Sequence, residues 1–305
     1  MRVFTVSLRH GRERGNQPWV NESGSELVHL GHCAQLLKGR LLGVPIKMQE
    51  AEAFTNLPEV KKIEARKRYL RVQDFQRHDR RLSLVVKYGM GSDYSYNMGP
   101  GGDVAIDQQA PAREYRIELL TPKKDGVALM AVETIARVCP EAAISAWLGA
   151  ASKLIKPQGS PWKRLITAQA VDPDYLADLV KNAKEVEVRL KHVGPDEVGN
   201  RSRTLYRLQG AIHHNRRGKA INWARQQRRG LDGMLEVLGV ADDGDFDFND
   251  GYMSIDDGDA KTRVGLTGAK EAFTYPLADD APEDDEWINF VQRRFKQLHS
   301  GLEWV

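Results

Sequence analysis

Nine arginines and lysines fall within residues 201–230, and no acid falls among them. They are Arg201, Arg203, Arg207, Arg216, Arg217, Lys219, Arg225, Arg228 and Arg229. A guanidinium group presents a planar fork of donors that can pair two phosphate oxygens at once, so such a run suits the backbone of a nucleic acid. The apolar spacing of Ile221, Ala224, Leu231, Met234, Leu235 and Leu238 predicts one helix over 219–238. Asn222, Arg225, Gln226 and Arg229 then fall opposite this seam, with the arginines projecting together into solvent. Arg216, Arg217 and Lys219 precede the helix, in a segment that could follow a groove. Trp223 offers an indole for stacking on a base, or simply for packing. The bland alternative for the whole run is a solvated helix face with ordinary ion pairs.

A second basic stretch, Lys61-Lys-Ile-Glu-Ala-Arg-Lys-Arg-Tyr69 with Arg71, Arg77, Arg80 and Arg81, sets nine bases against the acids Glu64, Asp74 and Asp79. Lys61, Lys62 and Arg66 are its candidates for extending the phosphate-binding surface. Its structural alternative is a charged helix and strand edge, where cations discourage aggregation. The net charge is only +3, yet its sign is segregated: residues 241–260 hold eight aspartates and no base. Acidic and basic surfaces of this kind attract each other, within a chain or between protomers, and compete with phosphate for the same arginines. A homo-oligomer is one expected outcome.

Signals of catalysis are weak. The glycine-rich segment 89–102 lacks the Gly-Lys-Ser/Thr ending of a phosphate loop, and Tyr94 stands where a dinucleotide fingerprint has its third glycine. No Gly-x-Ser-x-Gly elbow occurs. His29, His32 and Cys33 lie at helical spacing with Cys139 distant, whereas zinc sites carry paired short spacings. Asp178, Glu185 and Glu187 beside Arg189-Leu-Lys191 echo a nuclease whose carboxylates hold magnesium, but the lysine is out of its usual position and surface carboxylates are the simpler explanation. Asp245-Phe-Asp-Phe-Asn-Asp-Gly251 alternates like a calcium loop, yet Asp250 and Asp256 stand where that loop needs glycine and glutamate. Phe246, Phe248, Tyr252 and Ile255 instead predict a half-buried strand with acidic outer positions. No metal and no cofactor is expected.

Positioning these residues requires a mixed architecture. Alternation predicts strands over 2–8, 69–75, 82–88, 114–120 and 127–133, the last two joined as an antiparallel hairpin by Thr121-Pro-Lys-Lys-Asp-Gly126. Helices are expected over 25–37 and from Pro140 through Ile155, followed by a break at Lys156-Pro-Gln-Gly-Ser-Pro161. A strand over 164–170 then opens the second half, with a helix from Asp172 to about Ala183, strands over 185–191 and 204–208, and a terminal amphipathic helix over 286–299. The fold class is α+β, an antiparallel sheet with packed helices in two domains, 1–156 and 162–305. Hydrophobic residues at 41% and charged residues at 29% fit a globular chain. The longest nearly apolar run, 142–151, is about half of the roughly 20 residues a membrane helix needs. The short alternating start does not read as a leader, and only Cys33 and Cys139 are present, so a soluble, cytoplasmic protein with reduced thiols is expected.

The order of elements, with Val127-Ala-Leu-Met-Ala-Val-Glu133, the helix over 142–155 and the strand, helix and strand of 165–190, resembles the Rex A phage-exclusion family of lambdoid prophages. It is similar also to the KwaB-type DNA-binding subunit of Kiwa defence systems. The resemblance covers about half the chain and rests on layout, so it transfers no residue. It implies a dimer-forming, non-enzymatic DNA binder in antiphage defence. The combined reading is a nucleic-acid-binding protein, with DNA the first expectation. The alternatives are a metal-dependent nuclease and a charge-paired assembly subunit.

Overall fold

A computed structural model of the chain describes residues 1–11, 13, 15–21, 24–44, 55–58, 60–92, 96–97, 104–105, 109–121, 127–136, 138–156, 161–170, 172–195, 202–225, 231–239, 248–258, 261–265, 274–275 and 283–298. The fold is α+β, with a seven-stranded antiparallel half-barrel sheet and a separate four-stranded antiparallel sheet. The chain divides into two compact units, Met1–Ala168 with Leu277–Val305, and Gln169–Pro276. No described helix is long and apolar enough to cross a membrane.

The first unit begins with β1 (Arg2–His10), the short pair β2 (Val20–Asn21) and β3 (Gly24–Ser25), α1 (Glu26–Leu37) and β4 (Leu42–Val44). There follow β5 (Arg68–Arg77), β6 (Arg81–Met90), a second short pair β7 (Tyr96–Asn97) and β8 (Val104–Ala105), then β9 (Ala112–Leu120), β10 (Ala128–Val132), α2 (Glu141–Ile155) and β11 (Lys163–Gln169). The large sheet runs β11-β1-β10-β9-β6-β5-β4. The expected hairpin is present: Leu129 pairs with Leu120 and Val132 with Ile117. Pro140 stands just outside α2 as its cap, and its carbonyl accepts the Ile144 amide at 3.0 Å. Leu27, Leu30 and Leu37 of α1 and Ile144, Trp147 and Leu148 of α2 pack with Val6, Leu70, Val86, Ile117 and Met130 in one core. Each such side chain contributes roughly 1.5–3 kcal/mol on burial.

Every residue of β10 is buried, as a strand covered on both faces requires. Beside it, Arg116 of β9 pairs with Glu133 at 3.0 Å and lies 5.0 Å over the ring of Trp287. Trp287 belongs to the terminal helix (Asp284–Leu298), which the compact division groups with the first unit. The strand expected to open the second half is β11, and it joins the first sheet instead. Its Lys163 pairs with buried Glu26 of α1, the Lys163 amide donates to Ser152 Oγ at 2.8 Å, and Thr5 Oγ1 donates to the Ala168 carbonyl at 3.0 Å.

The second unit contains α3 (Pro173–Asn182), β12 (Glu185–Pro195), β13 (Ser202–Ala211), a 3-10 turn (His214–Arg216), α4 (Arg217–Arg225), α5 (Leu231–Leu238), β14 (Asp250–Asp256) and β15 (Lys261–Gly265). The terminal helix is therefore α6. Asp172 caps α3: its Oδ1 accepts the amides of Asp174 and Tyr175 at 3.0 and 3.2 Å. The single helix expected over 219–238 is two among the described residues, α4 and α5. Between their ends the sequence reads Gln-Gln-Arg-Arg-Gly, where Arg229 would repel Arg225 four residues back and Gly230 weakens any helix. The small sheet runs β13-β12-β14-β15, all antiparallel. Alternation divides it: Val186, Val188, Leu190, Met253, Ile255 and Val264 are buried, whereas Glu185, Gln209, Arg207 and Arg263 are exposed, and small Ser254 among the latter is itself buried. The buried face belongs to the helices. Gly210, opposite Val188, has the Leu238 side chain of α5 against it, α4 packs on α5, and α3 on α4.

Candidate nucleic-acid interface

Few of the arginines in the 201–230 run share one surface. Arg216 donates to the Leu238 carbonyl at the end of α5, satisfying an orphan acceptor, and Arg217 Nη2 donates to the Lys184 carbonyl at 2.8 Å. The segment expected to follow a groove is thus a structured turn and helix start whose guanidinium groups tie elements together. Trp223 takes the packing alternative. It is buried to 2% exposure, with Gly233 of α5 so close that a Cβ there would meet its ring at 3.0 Å, so it packs and offers no face to a base. On the solvent side of α4, Lys219 lies 3.4 Å from Glu236 and Arg225 3.8 Å from Asp174, both exposed pairs. Arg203 lies in β13. Arg201, Arg228 and Arg229 lie outside the described residues.

Lys61, Lys62 and Arg66 belong to the first unit and are exposed. They form no helix; Arg66 adopts φ 62° in a turn whose amide donates to the Gly91 carbonyl at 2.9 Å, and the strand begins only at Arg68. The two basic stretches belong to different units of the chain.

Arg207 is the member of the run that the fold places in a wider constellation. It sits exposed on β13, opposite Lys191 of β12. Arg189, two residues before Lys191 and on the same face, stands opposite Tyr252 of β14. The Arg189 guanidinium carbon lies 5.7 Å from the Tyr252 ring centroid and that of Arg263, on β15, lies 5.0 Å from it. Arg189, Leu190, Lys191, Thr204, Arg207 and Tyr252 line a recess of about 140 Å³. Among the described residues, this is the face of the small sheet that the helices leave uncovered. Its charges mix in sign: Glu185 and Glu187 precede Arg189 and Lys191 along β12, Arg263 and Glu187 both stand opposite Ser254, and Asp250 stands opposite Lys191. Glu187 is held by Arg189 at 3.3 Å and by the Gln209 amide; Lys191 pairs with Asp250 at 3.2 Å.

The sequence signal for this face was the alternation Glu-Val-Glu-Val-Arg-Leu-Lys over 185–191, which puts 189 and 191 on one side. Its partners on β13, β14 and β15 come from up to 74 residues away (263 − 189) and share no local pattern.

The alternative sites do not assemble. Asp178 lies in the helical layer, on the side of the sheet away from Glu187. His29 Nε2 and Ser152 Oγ are hydrogen-bonded at 2.8 Å, His32 is exposed and Cys33 is fully buried, so the three do not converge. Burial pushes the Cys33 thiol up to about 12, a protonated and inert state. Asp245 and Asp247 lie outside the described residues, and Asp250 is committed to Lys191 and to the Gly251 amide. Among the described residues no three His, Cys, Asp or Glu side chains are grouped as metal ligands. The chain matches no family model, no curated protein and no solved structure.

Proposed function

We propose that this chain binds nucleic acid, DNA in the first instance, and performs no chemistry on it. The observation that carries the proposal is the sheet face on which Arg189 and Arg263 lie against Tyr252 while Arg189, Lys191 and Arg207 line the recess beside it. Cations fixed on rigid strands need little ordering to meet phosphates, and an aromatic ring among them gives a nucleic acid more than its charge to bind. Exposed Lys219 and Arg225 add a weaker, sequence-independent attraction. In the cell such a protein would serve as sensor or effector against phage, a role supported only by the layout resemblance.

Titrating labelled DNA with the full chain, with and without EDTA, tests this reading. Binding that survives chelation, with the DNA recovered intact, is the expected result. Cleavage that chelation abolishes would favour a metal-dependent nuclease, and an absence of binding at low salt would end the proposal.

A further inference from the structure

We propose that the uncovered sheet face is a site for single-stranded nucleic acid, with an unpaired base stacked on Tyr252 and its neighbouring arginines and the adjoining phosphate seated in the recess beside Lys191, Thr204 and Arg207. The inference rests on the nucleic-acid reading and narrows it to one strandedness and one set of contacts.

Three planar groups lie in a row across the strands: the Arg189 guanidinium, the Tyr252 ring and the Arg263 guanidinium. Bases stack on aromatic rings and on guanidinium planes alike. Tyr252 stands opposite Arg189 on one side and Gly265 on the other, and Arg263 reaches its ring diagonally from β15. A duplex keeps the faces of its bases inside its own stack and has nothing to offer this row; an unpaired strand presents them. The recess supplies the complementary chemistry. Arg207 is exposed and has no ion-pair partner among the described residues, Lys191 and Arg189 are within the same lining, and the Thr204 hydroxyl adds a neutral donor. At ~30 Å³ per water, the volume holds a phosphate with part of its hydration. With about three cations engaged, the log–log salt slope for a single strand is about 2. The outer face of α4 lacks this combination because its indole is sealed; its cations sit beside carboxylates, as Arg189 and Lys191 do.

The test is fluorescence anisotropy of the full chain with labelled oligothymidine, the matching oligouridine and a blunt duplex, at about 50 mM salt where phosphate contacts are strongest. Oligothymidine or oligouridine is expected to bind at least about tenfold tighter than the duplex. Tyr252→Leu is expected to weaken the single strand by roughly 5- to 100-fold, the range for one stacked base, and Tyr252→Phe to leave it within about twofold. Arg207→Ala, an exposed change, should lower the salt slope by about 0.7 and keeps the test decisive if the leucine variant fails to fold. Duplex affinity equal to or above that of the single strands would overturn the single-strand site while leaving nucleic-acid binding intact. Binding that heparin matches and that Tyr252→Leu leaves unchanged would reduce the face to a general polyanion surface and overturn it as well. If no nucleic acid binds, the underlying reading fails first.

Discussion

Asp250, from the acidic stretch, pairs with Lys191, a cation outside the 201–230 run, at the edge of the recess. A phosphate arriving there must displace that carboxylate. Asp250→Asn keeps an acceptor for the Gly251 amide and removes the competing charge. The pair is partly exposed and worth up to about 1 kcal/mol, so the variant should bind nucleic acid up to about fivefold tighter. An unchanged affinity by titration at low salt would mean that Lys191 takes no part. A second residue carries a pH dependence. Burial pushes the Glu118 carboxyl up to about 7, against the opposing pull of the Ser83 hydroxyl at 2.6 Å and the Arg81 guanidinium at 3.9 Å. The folded protein therefore holds this proton more tightly than the unfolded chain. Its stabilising contribution is complete below the ordinary value of 4.5 and is lost as pH rises through about 7. The loss is on the order of 3 kcal/mol, so Glu118→Gln should raise the melting temperature at pH 8 more than at pH 5. Equal shifts at both pH values would show that Glu118 ionises without cost.

Helices and strands in this chain follow local rules wherever one local rule suffices. Asp172 illustrates it: Asp-Pro at a helix start caps α3 as the sequence predicts, and Asp172→Ala should lower stability by ~1 kcal/mol while Asp172→Asn, which can still accept both amides, loses much less. Thermal melts that rank the two variants equally would remove the cap from the account. The strands β1, β5, β6, β9 and β10 and the helices α1 and α2 were legible for the same reason, since two-residue and 3.6-residue periods mark them directly. What was not legible depends on contacts distant in sequence. β11 reads as the opening of a second domain until Lys163 finds Glu26, 137 residues away. The helix over 219–238 reads as one until the like charges and glycine at 225–230 are weighed against its seam. Arg216 and Arg217 read as phosphate ligands, and no local pattern announces the hydrogen bonds they donate to the carbonyls of Leu238 and Lys184. Conversely Arg189, Lys191 and Tyr252 were read singly, as strand residues, because only cross-strand register brings them together.

At the scale of the whole molecule, the acidic stretch meets a cation within the second unit through Asp250 with Lys191. If the opposite charges of 201–230 and 241–260 also pair between protomers, light scattering at low salt finds a homo-oligomer that loosens as salt rises; a salt-independent monomer would leave that attraction without a role. The central claim is that the uncovered sheet face of the second unit, rather than the outer face of α4, meets nucleic acid. Its most direct test compares two double variants of exposed residues, Arg207→Ala with Arg263→Ala on the sheet and Lys219→Ala with Arg225→Ala on α4, by the salt dependence of nucleic-acid affinity. The sheet variant should lose about one to two units of the log–log slope and bind far more weakly, while the α4 variant loses little of either. The reverse ranking, with slope and affinity falling only in the α4 variant, would contradict the account.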